Sequence, residues 1–360
     1  MKIEVKQPAL KEGLKVVSQA LSNNTTLPIL KFIKLTAEDG KLLLEATDLE
    51  LGIEMHIKAK VLEEGSIAVP GKKFKSYVGK VAKTKPVSLI AHSNDNLELT
   101  CGASNTIFNG SPGDEYVDTP SFNKEGIKID GGKIASMLDK NTFACSDDES
   151  KPFLNGVYVK TKENGIDLAA TDTYKMTHVN DQIELDKEID FILPTNAADV
   201  LSKELTGEVE FIKQDNLVKF QDENKIITSR LINGDFPNYE RVIPDDNNIV
   251  FKTESQLLKD AIDRVMIATE KNIVNMQLED EEFKLKGTKN DNAKSVESLE
   301  CDVKQGEELV MSFNGNFVME YLKHIEGEVV IKSNGGETPM LMHTKDDNSY
   351  KFVVMPVRGQ

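Results

Sequence analysis

The side chains able to do acid–base, nucleophilic or metal chemistry are scattered along this chain. His56, His92, His178, His324 and His343 show no HExxH and no paired spacing, so a zinc hydrolase has no ligand set to start from. No serine stands in a GxSxG turn, the frame of an α/β-hydrolase nucleophile. The stretch 126–133 (GIKIDGGK) approaches a phosphate loop. Its glycine spacing is off by one, and Ile134 stands where Ser or Thr would hold magnesium. Asp147-Asp148-Glu149, Asp245-Asp246 and Asp346-Asp347 could serve a two-metal hydrolase. Each lies in a turn-rich polar stretch and reads as a solvated loop. Cys101, Cys145 and Cys301 are far apart and odd in number, which fits neither a disulfide framework nor a CxxC zinc site and suits a reducing cytosol. No catalytic residue, metal or cofactor is expected.

Two acids do recur. Asp48 and Asp172 close Ala-Thr-Asp triplets 124 residues apart. An enzyme would not usually duplicate its catalytic acid in successive domains. A side chain capping a turn through backbone N–H groups suits the position better. The elements around these acids repeat too. Ile3 and Val5 alternate with Lys2, Glu4 and Lys6 as in a strand; Ile127 and Ile129 follow at the same offset, then Phe251. Apolar residues at helical spacing come next: Leu10, Leu14 and Val17, then Ile134 and Leu138, then Leu258 and Ile262. Leu30 matches Leu154, Leu42 matches Ile166, and Pro70 matches Pro194. A strand running into a helix recurs over 66–81, 190–205 and 308–325, and alternating strands end each unit. A period of roughly 120 residues is too long for a solenoid. It predicts three α+β domains of one topology, 1–122, 123–246 and 247–360, joined by polar, turn-rich stretches.

Acidic residues outnumber basic ones by 60 to 44, a net charge of −16, which argues against holding nucleic acid by bulk charge. The lysines nevertheless collect on the predicted helices. Lys11 and Lys15 stand opposite the Leu10–Leu14 stripe, Lys72, Lys73 and Lys75 stud the next helix, and Lys133, Lys140, Lys203, Lys259, Arg264 and Lys323 mark the counterparts. If these helices share one surface, it would guide DNA through its phosphates without reading sequence. The N-terminus has no signal-peptide h-region and no apolar run approaches the ~18 residues of a membrane span, so a cytoplasmic protein is expected.

ATDTYKM (170–176), SRLINGDFPNYERVIP (229–244) and YKFVVMPVRG (350–359), together with the threefold repeat, resemble the bacterial sliding clamps, the beta subunits of DNA polymerase III. The resemblance covers the whole chain. It implies the DNA clamp fold, with two chains forming a closed ring of inner helices and outer sheets around duplex DNA. It implies a processivity factor rather than an enzyme, which tethers the replicative polymerase and is opened by a clamp-loader ATPase. Other polymerases and repair proteins would dock by a short peptide motif. The matching peptide-binding positions are Leu154, Thr171, Thr173, Tyr174, Lys175, Met176, Pro237, Arg241, Val242, Met340, Val353, Val354, Met355, Pro356, Val357 and Arg358.

The resemblance also places Lys11, Lys15, Asn24, Lys72, Lys151 and Lys203 toward DNA. It sets Lys73 across a dimer interface from Glu297 and Glu300, with Phe108 and Ile267 as the apolar centre. The chain departs from the family at Thr173-Tyr174-Lys175, where Gly-His-Arg is usual, and at Asn24 and Thr195-Asn196, where basic residues are usual. The alternative reading is a monomeric peptide-binding scaffold derived from a clamp. Pro356 lacks an N–H, so pairing of the last strand should end before it, leaving 355–358 as a partner-binding edge.

Overall fold

Every repeat opens with a short strand that runs straight into a helix. A computed structural model describes residues 1–22, 24–163, 165–183, 188–289, 293–306 and 308–357, with only the backbone of 288–289. Six α-helices lie among them: α1 (Gln7–Val17), α2 (Gly71–Val78), α3 (Gly131–Thr142), α4 (Thr195–Glu204), α5 (Ser255–Ile267) and α6 (Gly315–Leu322). The first residues of α1, α3 and α5 are 124 apart, as the sequence period requires. In α1, Leu10, Leu14 and Val17 are fully buried while Lys11 and Lys15 face solvent. Pro8 sits in the first turn of α1, where its missing N–H costs nothing. Gly13 lets that helix lie on its sheet, since a Cβ there would come within 2.6 Å of Leu44.

Packing separates two compact units, Met1–Ala135 with Lys203–Leu231, and Ser136–Ser202 with Ile232–Gln360. The division runs through the middle repeat, which gives Ile127–Asp130, Glu208–Gln214, Leu217–Gln221 and Lys225–Arg230 to one sheet and Gly156–Lys162, Gly165–Thr171, Lys175–Asp181 and Asp190–Pro194 to another. The first unit holds a 13-stranded sheet. Its central strand, Leu51–Glu63, pairs with Lys2–Lys6 of the first repeat and with Lys225–Arg230 of the second. The second unit holds a nine-stranded sheet, in which Lys175–Asp181 pairs with Tyr350–Val354, and a four-stranded sheet.

The repeats agree to the single rung. Ile3, Leu89, Leu99 and Thr106 stand opposite one another across the first. Ile127, Phe211, Phe220 and Ile227 do so in the second. Phe251, Ile331, Met342 and Phe352 do so in the third. These rows end at two seams between repeats, where Ile227 meets Ile53 and Phe352 meets Thr177. Ser104–Asn109, at the row position of Lys225–Arg230 and Tyr350–Val354, and Ala293–Leu299, at that of Leu51–Glu63 and Lys175–Asp181, are sheet edges without such a neighbour. The aromatic core of the third repeat anchors its seam. Tyr321 and Phe352 are fully buried and stacked with ring centroids 4.9 Å apart. No helix among the described residues is long and apolar enough to cross a membrane.

Candidate functional site

The Ala-Thr-Asp triplet builds the turn that carries the first candidate residues. Thr171 Oγ1 donates to the Lys175 carbonyl at 2.8 Å and accepts from the Thr173 N–H at 3.1 Å. Asp172 Oδ1 accepts from the N–H groups of Tyr174 and Lys175, both at 2.8 Å. Asp48 does the same for Glu50 and Leu51 at 3.0 and 2.7 Å, so the repeated acid is a turn cap. These bonds hold Thr173 at φ +80°, a left-handed conformation that a β-branched residue resists. Lys175 is turned inward: its Nζ pairs with Asp172 Oδ2 and lies 4.4 Å over the Phe317 ring. Tyr174, by contrast, is 65% exposed.

Beneath the turn lies an apolar cluster of Ala169, Met176, Tyr239, Leu341 and Val353, with Tyr158, Phe236 and Ile243 packed against it. Phe236 stacks on Tyr158 at 5.0 Å with the rings nearly parallel. Leu154, Met340 and Val354 are also buried, like Met176 and Val353. Pro237, Arg241, Val242 and Met355 are exposed, and Pro356 and Val357 are half-buried. The last strand ends at Val354 as expected, yet the tail beyond is not loose. Met355 N–H donates to the Tyr174 carbonyl at 2.8 Å, and Val357 N–H to the Ser312 carbonyl at 2.7 Å. The expectation that pairing stops before Pro356 is corrected to this extent: the residues on both sides of the proline bond to different elements. Arg358 lies outside the described residues.

A polar network under the cluster was not legible in the sequence. Asp167, buried, accepts from Tyr239 Oη at 3.4 Å, stands 3.3 Å from His178 Nε2 and pairs with Lys162. Burial alone would push its carboxyl up. The bonds to His178 and Lys162 outweigh that and hold it at about 2. Burial pushes the Cys145 thiol to about 12 and raises Cys301, which leaves neither a ready nucleophile.

Known proteins decide what this frame belongs to. The DNA polymerase III beta subunit family matches along the chain, its N-terminal domain over 1–120, its central domain over 128–238 and its C-terminal domain over 240–358. The chain belongs to this family. It is 26% identical to the beta sliding clamp of Bacillus subtilis, over 99% of this chain and all of the relative. The crystal structure of a B. subtilis DNA polymerase sliding clamp superposes with a TM-score of 0.94 at 25% identity, covering both chains fully. The Thermotoga maritima DNA polymerase III beta subunit does so with a TM-score of 0.92 at 26% identity, also covering both chains fully. The protein is thus a DNA sliding clamp and, as a processivity factor, not an enzyme.

The remaining candidate residues of the clamp sit on helices, loops and sheet edges. Lys11, Lys15, Lys72 and Lys203 are exposed on α1, α2 and α4, and Lys15 pairs with Glu12 at 3.4 Å. Asn24 and Lys151 are exposed in loops rather than on helices. α6 carries no basic residue; Lys323 follows it and pairs with Glu320 at 2.6 Å. Lys73 and Glu300 are exposed, and Ile267 is 78% exposed at the end of α5. Glu297 already has a partner in its own chain, Arg264 at 2.6 Å. Phe108 is not an exposed apolar centre. Strand alternation turns it inward, 9% exposed and edge-on to Phe74 at 5.4 Å, and presents Ile107 instead.

Proposed function

We propose that this clamp closes as a homodimeric ring around duplex DNA, with strand Ala293–Leu299 of one copy pairing antiparallel with Ser104–Asn109 of another. The row arithmetic carries the reading. In the first seam Ile53, the neighbour of Ala46, meets the end of a row at Ile227. In the second, Thr177, the neighbour of Ala170, meets Phe352. The third repeat offers Ser295, the neighbour of Gly287, and the row still lacking a neighbour ends at Thr106. A third seam of the same register sets Ser295 opposite Thr106, Lys294 opposite Ile107 and Val296 opposite Asn105. One chain cannot be its own third neighbour without breaking its order of repeats, whereas two chains joined head to tail close. Ile267, Lys73, Glu297 and Glu300 then flank the seam.

The encircled partner is double-stranded DNA without sequence preference, faced by Lys11, Lys15, Asn24, Lys72, Lys151 and Lys203. The replicative polymerase, other polymerases and repair proteins dock by short peptides at the exposed rim formed by Tyr174, Pro237, Arg241, Val242 and Met355. A clamp-loader ATPase opens the ring, and the protein works in the cytoplasm.

A cysteine pair tests the ring. With Cys101, Cys145 and Cys301 changed to Ala, a Thr106→Cys/Ser295→Cys chain should oxidise to covalent dimers. The frame-shifted Asn105→Cys/Ser295→Cys chain should cross-link poorly, because its side chains lie on opposite faces. A protein that sediments as a monomer near 40.0 kDa at micromolar concentration would instead be the peptide-binding scaffold.

A further inference from the structure

The linker from the second repeat to the third leaves the sheet at Ile232, which bridges to Ile192, and rejoins it at strand Ile249–Glu254. It carries a 3-10 turn, Tyr239–Val242, and that turn presents Arg241 and Val242, both exposed. The turn has no side-chain cap at Asn238, and Pro237 and Pro244 remove backbone donors on either side of it. Three side chains fasten this stretch to the second compact unit, since Phe236, Tyr239 and Ile243 all lie on the apolar cluster. Phe236 and Ile243 hold by apolar contact, which has no direction and fixes no single position. Tyr239 adds a directed bond. Its Oη donates to Asp167 Oδ2 at 3.4 Å while its ring stacks on His178 at 5.2 Å. Among the described residues no other hydrogen bond joins 235–244 to the sheet.

Asp167 is built as a fixed point. It is buried on strand Gly165–Thr171, on the face that strand alternation gives to Ala169 of the cluster. His178 meets its Oδ1 and Lys162 its Oδ2, so the carboxylate is oriented independently of the linker. A buried carboxylate is costly to place. The first repeat does without one: the position 124 residues earlier is Leu43. There the buried tyrosine of the first linker, Tyr116, uses the backbone instead, accepting from the Thr47 N–H at 3.3 Å and donating to the Phe32 carbonyl at 3.1 Å. The acid thus belongs to the repeat whose linker carries the exposed rim. We propose that Asp167 is a positioning residue for peptide docking: through Tyr239 it fixes the turn that presents Arg241 and Val242. It touches no peptide itself. This inference rests on the assignment of the peptide rim under the proposed function.

Limited trypsin digestion of the full-length protein, without ligand and mapped by mass spectrometry, reads the turn directly at the Arg241–Val242 bond. Tyr239→Phe removes the hydroxyl and keeps the ring in the cluster. In Tyr239→Phe and in Asp167→Asn, cleavage at that bond should quicken roughly three- to tenfold, the loss of one hydrogen bond. Cleavage after Lys83, exposed in the first compact unit, should keep its parent rate, which separates local release from general unfolding. By calorimetry a polymerase-derived clamp-binding peptide should bind either variant roughly three- to tenfold more weakly. Asp167→Asn/Tyr239→Phe should bind no more weakly than Asp167→Asn, because both changes cut one link; a purely structural role for Asp167 would make the losses add. Three results would overturn the proposal: parent cleavage at Arg241–Val242 in both single variants, unchanged peptide affinity in Tyr239→Phe, or additive losses in the double variant. Val242→Glu reads the rim separately. If it leaves the peptide's affinity untouched, the peptide docks elsewhere and the rim reading fails, while the cleavage rates still decide whether Asp167 holds the turn.

Discussion

Asp167 is the residue whose chemistry most exceeds what its sequence neighbours suggest. Its carboxylate ties strand Gly165–Thr171 to His178 on the next strand and to Tyr239 of the following linker. Its acidity is held at about 2 against an ordinary 3.8, so the ionised form is the one the fold favours. A depressed carboxylate contributes stability that is complete above the unfolded value and is lost as pH falls. That contribution should therefore be whole above about pH 4 and vanish toward pH 2. Asp167→Asn should lower stability by about 1–3 kcal/mol at neutral pH, because the amide carries no charge and offers His178, Tyr239 and Lys162 one acceptor oxygen in place of two. Urea titrations at pH 7 and pH 3 check both statements: the gap between variant and parent should narrow at the lower pH. Thr173 supplies an opposite case. A Thr at φ +80° is strained, and glycine is not. Thr173→Gly should raise stability by about 0.5–1 kcal/mol, read as a higher denaturant midpoint at unchanged slope.

At the scale of elements, the C-terminal segment beyond Tyr350–Val354 bridges two partners. Met355 bonds to the turn that carries Tyr174, and Val357 bonds to strand Leu309–Asn314. It thereby closes one side of the exposed rim while adding little to the core. Deleting 355–360 removes the backbone bonds of Met355 and Val357, so unfolding should become easier by about 1–3 kcal/mol with the circular dichroism spectrum preserved. Binding of a polymerase-derived clamp-binding peptide should weaken at least roughly tenfold, since buried apolar anchors of such interfaces contribute about 2 kcal/mol or more each. Calorimetric titration of the peptide reads this directly; an unchanged affinity would remove the tail from the site.

For the whole molecule the balance of charge decides how DNA is held. A net charge of −16 with a few exposed lysines on the helices is too little for a tight electrostatic grip. In the proposed ring, retention comes from topology. Loaded on a nicked circle, the clamp should survive moderate salt and be lost when the circle is cut. Gel filtration of the DNA with its bound protein measures both, and equal retention on circle and linear duplex would end the topological account.

Much of this was legible in the residues alone. The 124-residue offset placed the starts of α1, α3 and α5, because helical spacing of Leu and Ile and strand alternation are local patterns that survive without tertiary context. The Ala-Thr-Asp repeat marked its aspartates as caps for the same reason, since the bonds they make reach only two or three residues. What local pattern could not decide were the contacts between distant segments. The sequence places Phe108 at an interface by resemblance, but packing against Phe74, 34 positions earlier, turns it inward. Asp167, His178 and Tyr239 come together only because adjacent strands and a linker converge. The seams arise likewise, from the rung on which Ile53 meets Ile227 and Thr177 meets Phe352. Register between strands far apart in the chain is set by the packing of whole faces, and no single segment carries that information.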